Sequence, residues 1–223
     1  MKRISANFII AVLFLSVSIR GAKADGKLDQ ILANMQTAGS KISTLFANME
    51  ETDIKVEMGG KPSRSAAKIY FKHKGKDDKV RLNYSRPEGQ TVLVLGDKIY
   101  LVQARIKQVT ETTRRALASK DPEMSFVASP YKSVPQLKSQ YNIEYLGDES
   151  GQAKLRLTPK AKSKVKQVTL WVDQSMWLPV KYETVSSNGD VSTITLSGLQ
   201  VNGVISDRQF NKDWPSDFKV VKP

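Results

Sequence analysis

The chain has no cysteine among its 223 residues. Disulfides, thiolate metal sites and a lipid-modifiable cysteine are therefore excluded. It has one histidine, His73. A Ser-His-Asp triad would have to use His73, which stands among Lys72, Lys74 and Lys76 with Asp77 and Asp78 as the nearest acids. A zinc site needs several nitrogen or sulfur ligands, and the chain lacks them. No Gly-rich phosphate loop is present, and the surroundings of Gly59-Gly60 are those of a hairpin turn. The carboxylate pairs Asp77-Asp78 and Asp148-Glu149 lie beside glycines in turn-like stretches. This inventory points away from an enzyme and calls for no cofactor and no metal.

Long apolar runs are also missing, apart from one. Lys2 and Arg3 precede an apolar segment from Phe8 to Val17, and Ala22-Lys23-Ala24 follows it. At about ten residues, the segment is short of the roughly 20 needed to span a bilayer as a helix. Basic start, short apolar core and small residues at the cleavage positions describe a secretory signal peptide over residues 1–24, cut before Asp25. The expected product is a single exported domain, residues 25–223. Four of the 35 basic residues lie in the signal and none of the 22 acidic ones does, so the remainder carries 31 against 22, a net charge of +9. Export removes nucleic acid as a partner. Membrane surfaces, lipid headgroups and acidic protein patches remain as anionic partners, beside a plain solvated basic surface.

Leu28, Ile31, Leu32 and Met35 repeat at helical spacing and predict one apolar stripe on a helix from about Leu28 to Ala38, ended by Gly39. The period then changes to two. Ile54, Val56 and Met58 alternate with Lys55 and Glu57; Ile69 and Phe71 with Tyr70 and Lys72; Val80, Leu82 and Tyr84 with Arg81 and Asn83. The runs Thr91 to Leu95 and Lys98 to Val102 flank a Gly96-Asp97 turn. From Thr112 to Gln140 alternation fades, and short helices are expected near Thr113 to Ser119, around Met124 and around Pro135. Strands return at Tyr141 to Leu146, Lys154 to Leu157, Val165 to Val172, Val180 to Val185, Val191 to Leu199 and Phe218 to Val221, with Asn188-Gly189 a hairpin signal. Ten or eleven consecutive strands curl rather than stay flat. Only the helices can cover the concave face, as a filler or as the cover of an apolar ligand site.

Several stretches resemble the periplasmic outer-membrane lipoprotein carrier family, the LolA-type proteins. One is Val80-Arg81-Leu82-Asn83-Tyr84-Ser85-Arg86-Pro87, followed by the Gln90 to Leu95 strand, Gly96-Asp97-Lys98 and Ile99-Tyr100-Leu101. A second is Leu155-Arg156-Leu157-Thr158-Pro159-Lys160. The third runs from Gln167 to Phe210, with Val172-Asp173, Leu178-Pro179, the Asn188-Gly189 hairpin, a Thr-rich strand and Asn202. Together they span about Leu28 to Pro223. The resemblance implies an α+β fold: an incomplete antiparallel β-barrel of about eleven strands covered by a helical lid. It implies a periplasmic carrier, expected as a monomer, that takes the acyl chains of lipoproteins from an inner-membrane lipoprotein exporter to an outer-membrane receptor or membrane surface. A periplasmic shuttle or sensor of the same fold for another lipid, a glycolipid or phospholipid, is the alternative. Each methylene withdrawn from water contributes about 0.8 kcal/mol, so acyl chains cannot cross an aqueous compartment unshielded.

Alternation together with the resemblance assigns the apolar cavity to Ile69, Phe71, Val80, Leu82, Tyr84, Val92, Val94 and Tyr100, and the inner face of the lid to Leu28, Ile31, Leu32 and Met35. Ordinary core is the competing assignment for each. The resemblance also implies a lid latch at the end of the second strand. Many family members have arginine there; this chain has His73, which lacks the guanidinium fork, with Lys72 and Lys74 as substitutes. Independently, Lys160, Lys162, Lys164 and Lys166 recur every second residue. On a strand they would share one face, either as a solvated edge guarded against aggregation or as a docking stripe for an acidic exporter, a receptor or an anionic membrane.

Overall fold

The computed structural model describes residues 20–73, 78–116 and 134–222, with side chains from Gly26 onward. The expectations for the signal segment before Arg20, for Lys74, and for the helices across 117–133 fall outside these residues; 114–116 are helical.

Helix α1 (Arg20–Ser40) is built on the apolar stripe anticipated from the sequence. Ile31, Leu32 and Met35 are buried in the main core, and Leu28 packs partly buried against it. A second helix, α2 (Val134–Gln140), forms around Pro135 and buries Val134 and Leu137. Between and after them run twelve strands: β1 (Thr44–Ile54), β2 (Pro62–Lys72), β3 (Lys79–Arg86), β4 (Glu88–Leu95), β5 (Lys98–Gln103), β6 (Gln108–Thr113), β7 (Tyr141–Glu149), β8 (Gln152–Pro159), β9 (Val165–Asp173), β10 (Leu178–Ser186), β11 (Val191–Val201) and β12 (Lys219–Val221).

They form one open sheet in the order β12-β6-β5-β4-β3-β2-β1-β11-β10-β9-β8-β7. This is the incomplete barrel with a helical cover, with one strand more than the eleven expected. Its pairs are antiparallel hairpin neighbours, except that β1 joins β11 across the chain and β12 runs parallel to β6. The short β12 makes the sheet mixed rather than purely antiparallel.

Each face carries its own apolar layer, because side chains alternate between faces along every strand. The face under α1 holds the larger core, including Leu45, Ala47, Met49, Ile69, Phe71, Val80, Leu82, Val94, Ile99, Leu155, Leu157, Val168, Leu170 and Tyr182. The opposite face of β4–β6 holds a smaller cluster of Leu93, Tyr100, Val109 and Phe210. Residues after β11 cross this outer face and deliver Phe210, Trp214 and Phe218 to it.

One strand boundary differs from expectation. Ile54, Val56 and Met58 continue the alternation, yet β1 ends at Ile54, and Val56–Met58 form a 3-10 turn. Gly59 and Gly60 both adopt left-handed φ values, 74° and 70°. Their N–H groups donate to the Val56 and Lys55 carbonyls at 3.0 Å each, so the chain turns earlier than the pattern suggests. The strand itself begins ten residues earlier, at Thr44.

Candidate functional site

The site is a lid on an apolar floor. β2, β3 and β4 place Ile69, Phe71, Val80, Leu82, Val92 and Val94 on the face beneath α1, each 7 % exposed or less. Register explains the assembly: Ile69 sits opposite Leu82, Phe71 opposite Val80, Leu82 opposite Val92 and Val80 opposite Val94. Directly opposed residues of paired strands project to the same face. Tyr84 is partly buried at the margin of the same cluster.

Tyr100 is a correction. It pairs with Leu93, whereas Val94 pairs with Ile99 and Val92 with Leu101. Tyr100 therefore projects to the outer face, where it stacks on Trp214 at 5.4 Å and lies beneath the Lys212 ammonium at 4.3 Å. Ile99 and Leu101 are the floor residues of β5. The difference is one of phase: the aromatic ring suggests a cavity position, while the strand's alternation gives that face to its neighbours.

The lid is tied down away from the expected latch. The His73 side chain contacts Asp78, Nδ1 to Oδ1, and both groups are about half exposed. Only the His73 backbone N–H approaches the lid's exit, donating to the Ser43 carbonyl at 2.7 Å. Lys72 reaches the Ile205 carbonyl and Asp207 on the outer face. Among the described residues, α2 supplies polar ties to α1, which also packs on β7 and β10. Gln36 Oε1 accepts the Val134 N–H at 3.0 Å, and Lys138 Nζ lies 3.2 Å from Asp29 Oδ1. Lys160 Nζ in turn donates to the Lys138 carbonyl at 2.7 Å.

At the other end of α1 the chain passes through 41–43 into β1, and Asn202 organises this exit. Its Oδ1 accepts from Ser43 N–H (2.8 Å) and Ser43 Oγ (2.9 Å), its Nδ2 donates to the Lys41 carbonyl (3.0 Å), and its N–H donates to the Thr44 carbonyl (2.8 Å). Asn202 adopts φ 60°, a conformation that asparagine tolerates better than most residues. The sequence marks Asn202 only as part of a motif. An open pocket of about 410 Å³ lies beside this hinge, lined by Thr37, Ala38, Ile42, Trp177, Leu178 and Leu199 among others.

The margin along β7 carries Tyr141, Ile143 and Tyr145 against the core. Burial pushes the Tyr141 phenol up. Burial, and then a hydrogen bond to Asp148, pushes Tyr145 up to about 12. Both phenols are thus held neutral, with the Asp148 carboxylate beside Tyr145.

The four alternating lysines are exposed, but they do not share a strand face. Lys160 to Lys164 form the turn between β8 and β9, and only Lys166 lies within β9. Pro159 ends β8, and the Ser163 hydroxyl accepts the Val165 N–H, which restarts the ladder only at Val165. The result is an exposed basic turn rather than an edge stripe.

The model of the family "Outer membrane lipoprotein carrier protein LolA" matches residues 35–213. An outer-membrane lipoprotein carrier protein of Bordetella avium (strain 197N) is 24% identical over 223 residues, covering 100% of both chains. Among solved structures, an uncharacterized conserved protein from Thermus thermophilus aligns with TM-score 0.57 at 11% identity, over 88% of this chain and 99% of the other. A DUF1329 family protein from Desulfovibrio piger aligns with TM-score 0.54 at 16% identity, over 85% of this chain and 97% of the other. These two likenesses concern the fold.

Proposed function

The chain belongs to the LolA family of outer-membrane lipoprotein carriers, and from that premise we propose that it shields the acyl chains of lipoproteins on their way between two membranes. One observation carries the reading: an amphipathic helix buries Ile31, Leu32 and Met35 in the same charge-free apolar cluster as Ile69, Phe71, Val80, Leu82, Val92 and Val94. Polar ties at α2 and at Asn202 fix that helix at two points. The closed lid contributes its stripe to the apolar cluster that cargo would enter. Acyl chains displace the stripe, so the apolar surface removed from water is similar before and after exchange, and binding stays reversible. A carrier needs that balance, because it must also release its cargo.

In this reading residues 1–24 are cleaved on export and residues 25–223 act as a monomer in the periplasm. Cargo arrives from an inner-membrane exporter and leaves to an outer-membrane receptor or membrane surface. Binding, not bond chemistry, is the activity.

The test is mass spectrometry of what co-purifies with the protein from its own periplasm. A triacylated lipopeptide is the expected result. Recovery of only a glycolipid or phospholipid would replace the cargo with another lipid. Failure to retain any acyl compound, with no response of a fluorescent acyl probe, would overturn the carrier reading.

A further inference from the structure

The register places five turns at one end of the sheet: β1–β2, β3–β4, β5–β6, β8–β9 and β10–β11. Three of them are bonded into one platform. Asp190 of the β10–β11 turn accepts the Val56 N–H at 2.8 Å and lies 3.8 Å from Lys55 Nζ, both on the β1–β2 turn. Ser187 donates to the Lys164 carbonyl of the β8–β9 turn through its N–H (2.7 Å) and its hydroxyl (2.9 Å). Farther along, Gly89, the second residue of β4, packs so closely on the β5–β6 turn that a Cβ there would lie 3.3 Å from Ala104 Cβ.

This end exposes large apolar side chains that nothing among the described residues covers. Val56 is 55 % exposed, Met58 73 % and Ile106 62 %. It is also basic. Lys160, Lys162, Lys164 and Lys166 surround the β8–β9 turn; Lys61 and Arg64 follow Met58, Arg86 ends β3, and Arg105 adjoins Ile106. The acids alongside are Asp53, Glu57 and Glu88, with Asp190 already committed to Val56 and Lys55 and Asp217 to Lys107.

We propose that this end of the molecule docks on an anionic lipid bilayer, with Val56, Met58 and Ile106 seated at headgroup level and the lysine turn against the lipid phosphates. Separated apolar tips ringed by lysine and arginine suit a flat, fluid, diffusely charged surface. A protein partner would call for a groove or a continuous apolar patch, and the apolar groups here are split between the β1–β2 turn (Val56 and Met58) and the β5–β6 turn (Ile106). The face lies outside the lid and floor and does not depend on what the floor carries.

The experiment is vesicle flotation of the full chain in its secreted form, with phosphatidylcholine vesicles and with phosphatidylcholine–phosphatidylglycerol vesicles. Binding to the anionic vesicles alone is expected, and it should fall as salt rises. Replacing Lys162, Lys164 and Lys166 by Gln, with Lys160 kept because it bonds the Lys138 carbonyl, should weaken it about tenfold or more. Met58→Asp should weaken it about fivefold, by removing an apolar tip and adding a negative charge. Melting temperature and acyl-probe affinity should stay at the parent values in both variants, which separates docking from carrying. No binding to anionic vesicles, equal binding to both kinds, or full binding by both variants would overturn the proposal; capture by an acidic protein with vesicles ignored would do the same.

Discussion

Arg81 joins β3 to a segment some 130 positions later. Its guanidinium donates to the Gln209 and Asn211 carbonyls at 3.2 Å each and to the Asp213 carboxylate at 3.0 and 3.2 Å, while its side chain is 11 % exposed. No other side chain can supply that planar fork. Arg81→Ala should cost about 2 kcal/mol, as loss of charge-assisted hydrogen bonds to a mostly buried partner does. Asp213→Asn should cost less than about 1 kcal/mol, since that carboxylate faces solvent. Urea unfolding of the two variants compares them directly. Asp190 offers a pH test at the same scale. The Val56 N–H, more than any other contact, holds its carboxyl below the ordinary value of 3.8, with Asn188 and Lys55 assisting. A depressed folded value means that the contribution is complete above about pH 4 and drains as pH falls through the lowered value. Asp190→Asn should therefore flatten the loss of melting temperature on acidification below pH 4, a difference visible in scans of parent and variant across that window.

At the scale of elements the lid decides behaviour. Gln36 satisfies the first N–H of α2, a group with no partner inside its own helix. Gln36→Ala removes one hydrogen bond of about 1 kcal/mol from the closed lid. If the open state alone binds, the affinity for an apolar probe should rise about fivefold. His73→Leu should leave probe affinity where it was, because its ring engages Asp78 and not α1. Titration of the three proteins with one acyl probe tests both expectations together. These ties also mark the limit of what the residue pattern could reveal. The helix stripe, β2 to β5 and β7 to β11 were legible because burial on one face writes a period of 3.6 or 2 into the chain. The start of β1 was not, since Asn48, Glu50, Glu51, Thr52 and Asp53 dilute its apolar alternation. The tie between α1 and α2 was not, since Gln36 and Val134 lie 98 positions apart and carry no signal of each other. The alternating lysines imitated a strand, but Pro159 and the Ser163 cap turn the chain there instead.

Among the described residues, one sheet carries two different covers. α1 closes one face over the large core, and the segment after β11 closes the outer face with Phe210, Trp214 and Phe218 on Leu93, Tyr100 and Val109. The two covers are held differently. The outer one is bound by the Arg81 fork, by Lys72 and Lys79 on Asp207, by Lys107 on Asp217 and by β12 pairing with β6. The inner one rests on an apolar stripe with ties to α2 from Asp29 in mid-helix and Gln36 in its last third, and with the Asn202 hub just past its C-terminus. Cooperative openings follow such differences in fastening. Amides of β1, β2 and β11, paired on both sides and backed by buried Leu45, Met49, Ile69, Ile194 and Leu196, should exchange only through global unfolding. Amides of α1 should exchange through a smaller opening that leaves the sheet intact, and Gln36→Ala should speed them without touching β1. The outer cover should track the sheet more closely than the lid does, and Arg81→Ala should uncouple it. Native-state hydrogen exchange read by mass spectrometry resolves the three groups. Equal protection of α1 and β1 in the unliganded protein would mean that the lid opens only when the molecule unfolds, a behaviour incompatible with reversible loading.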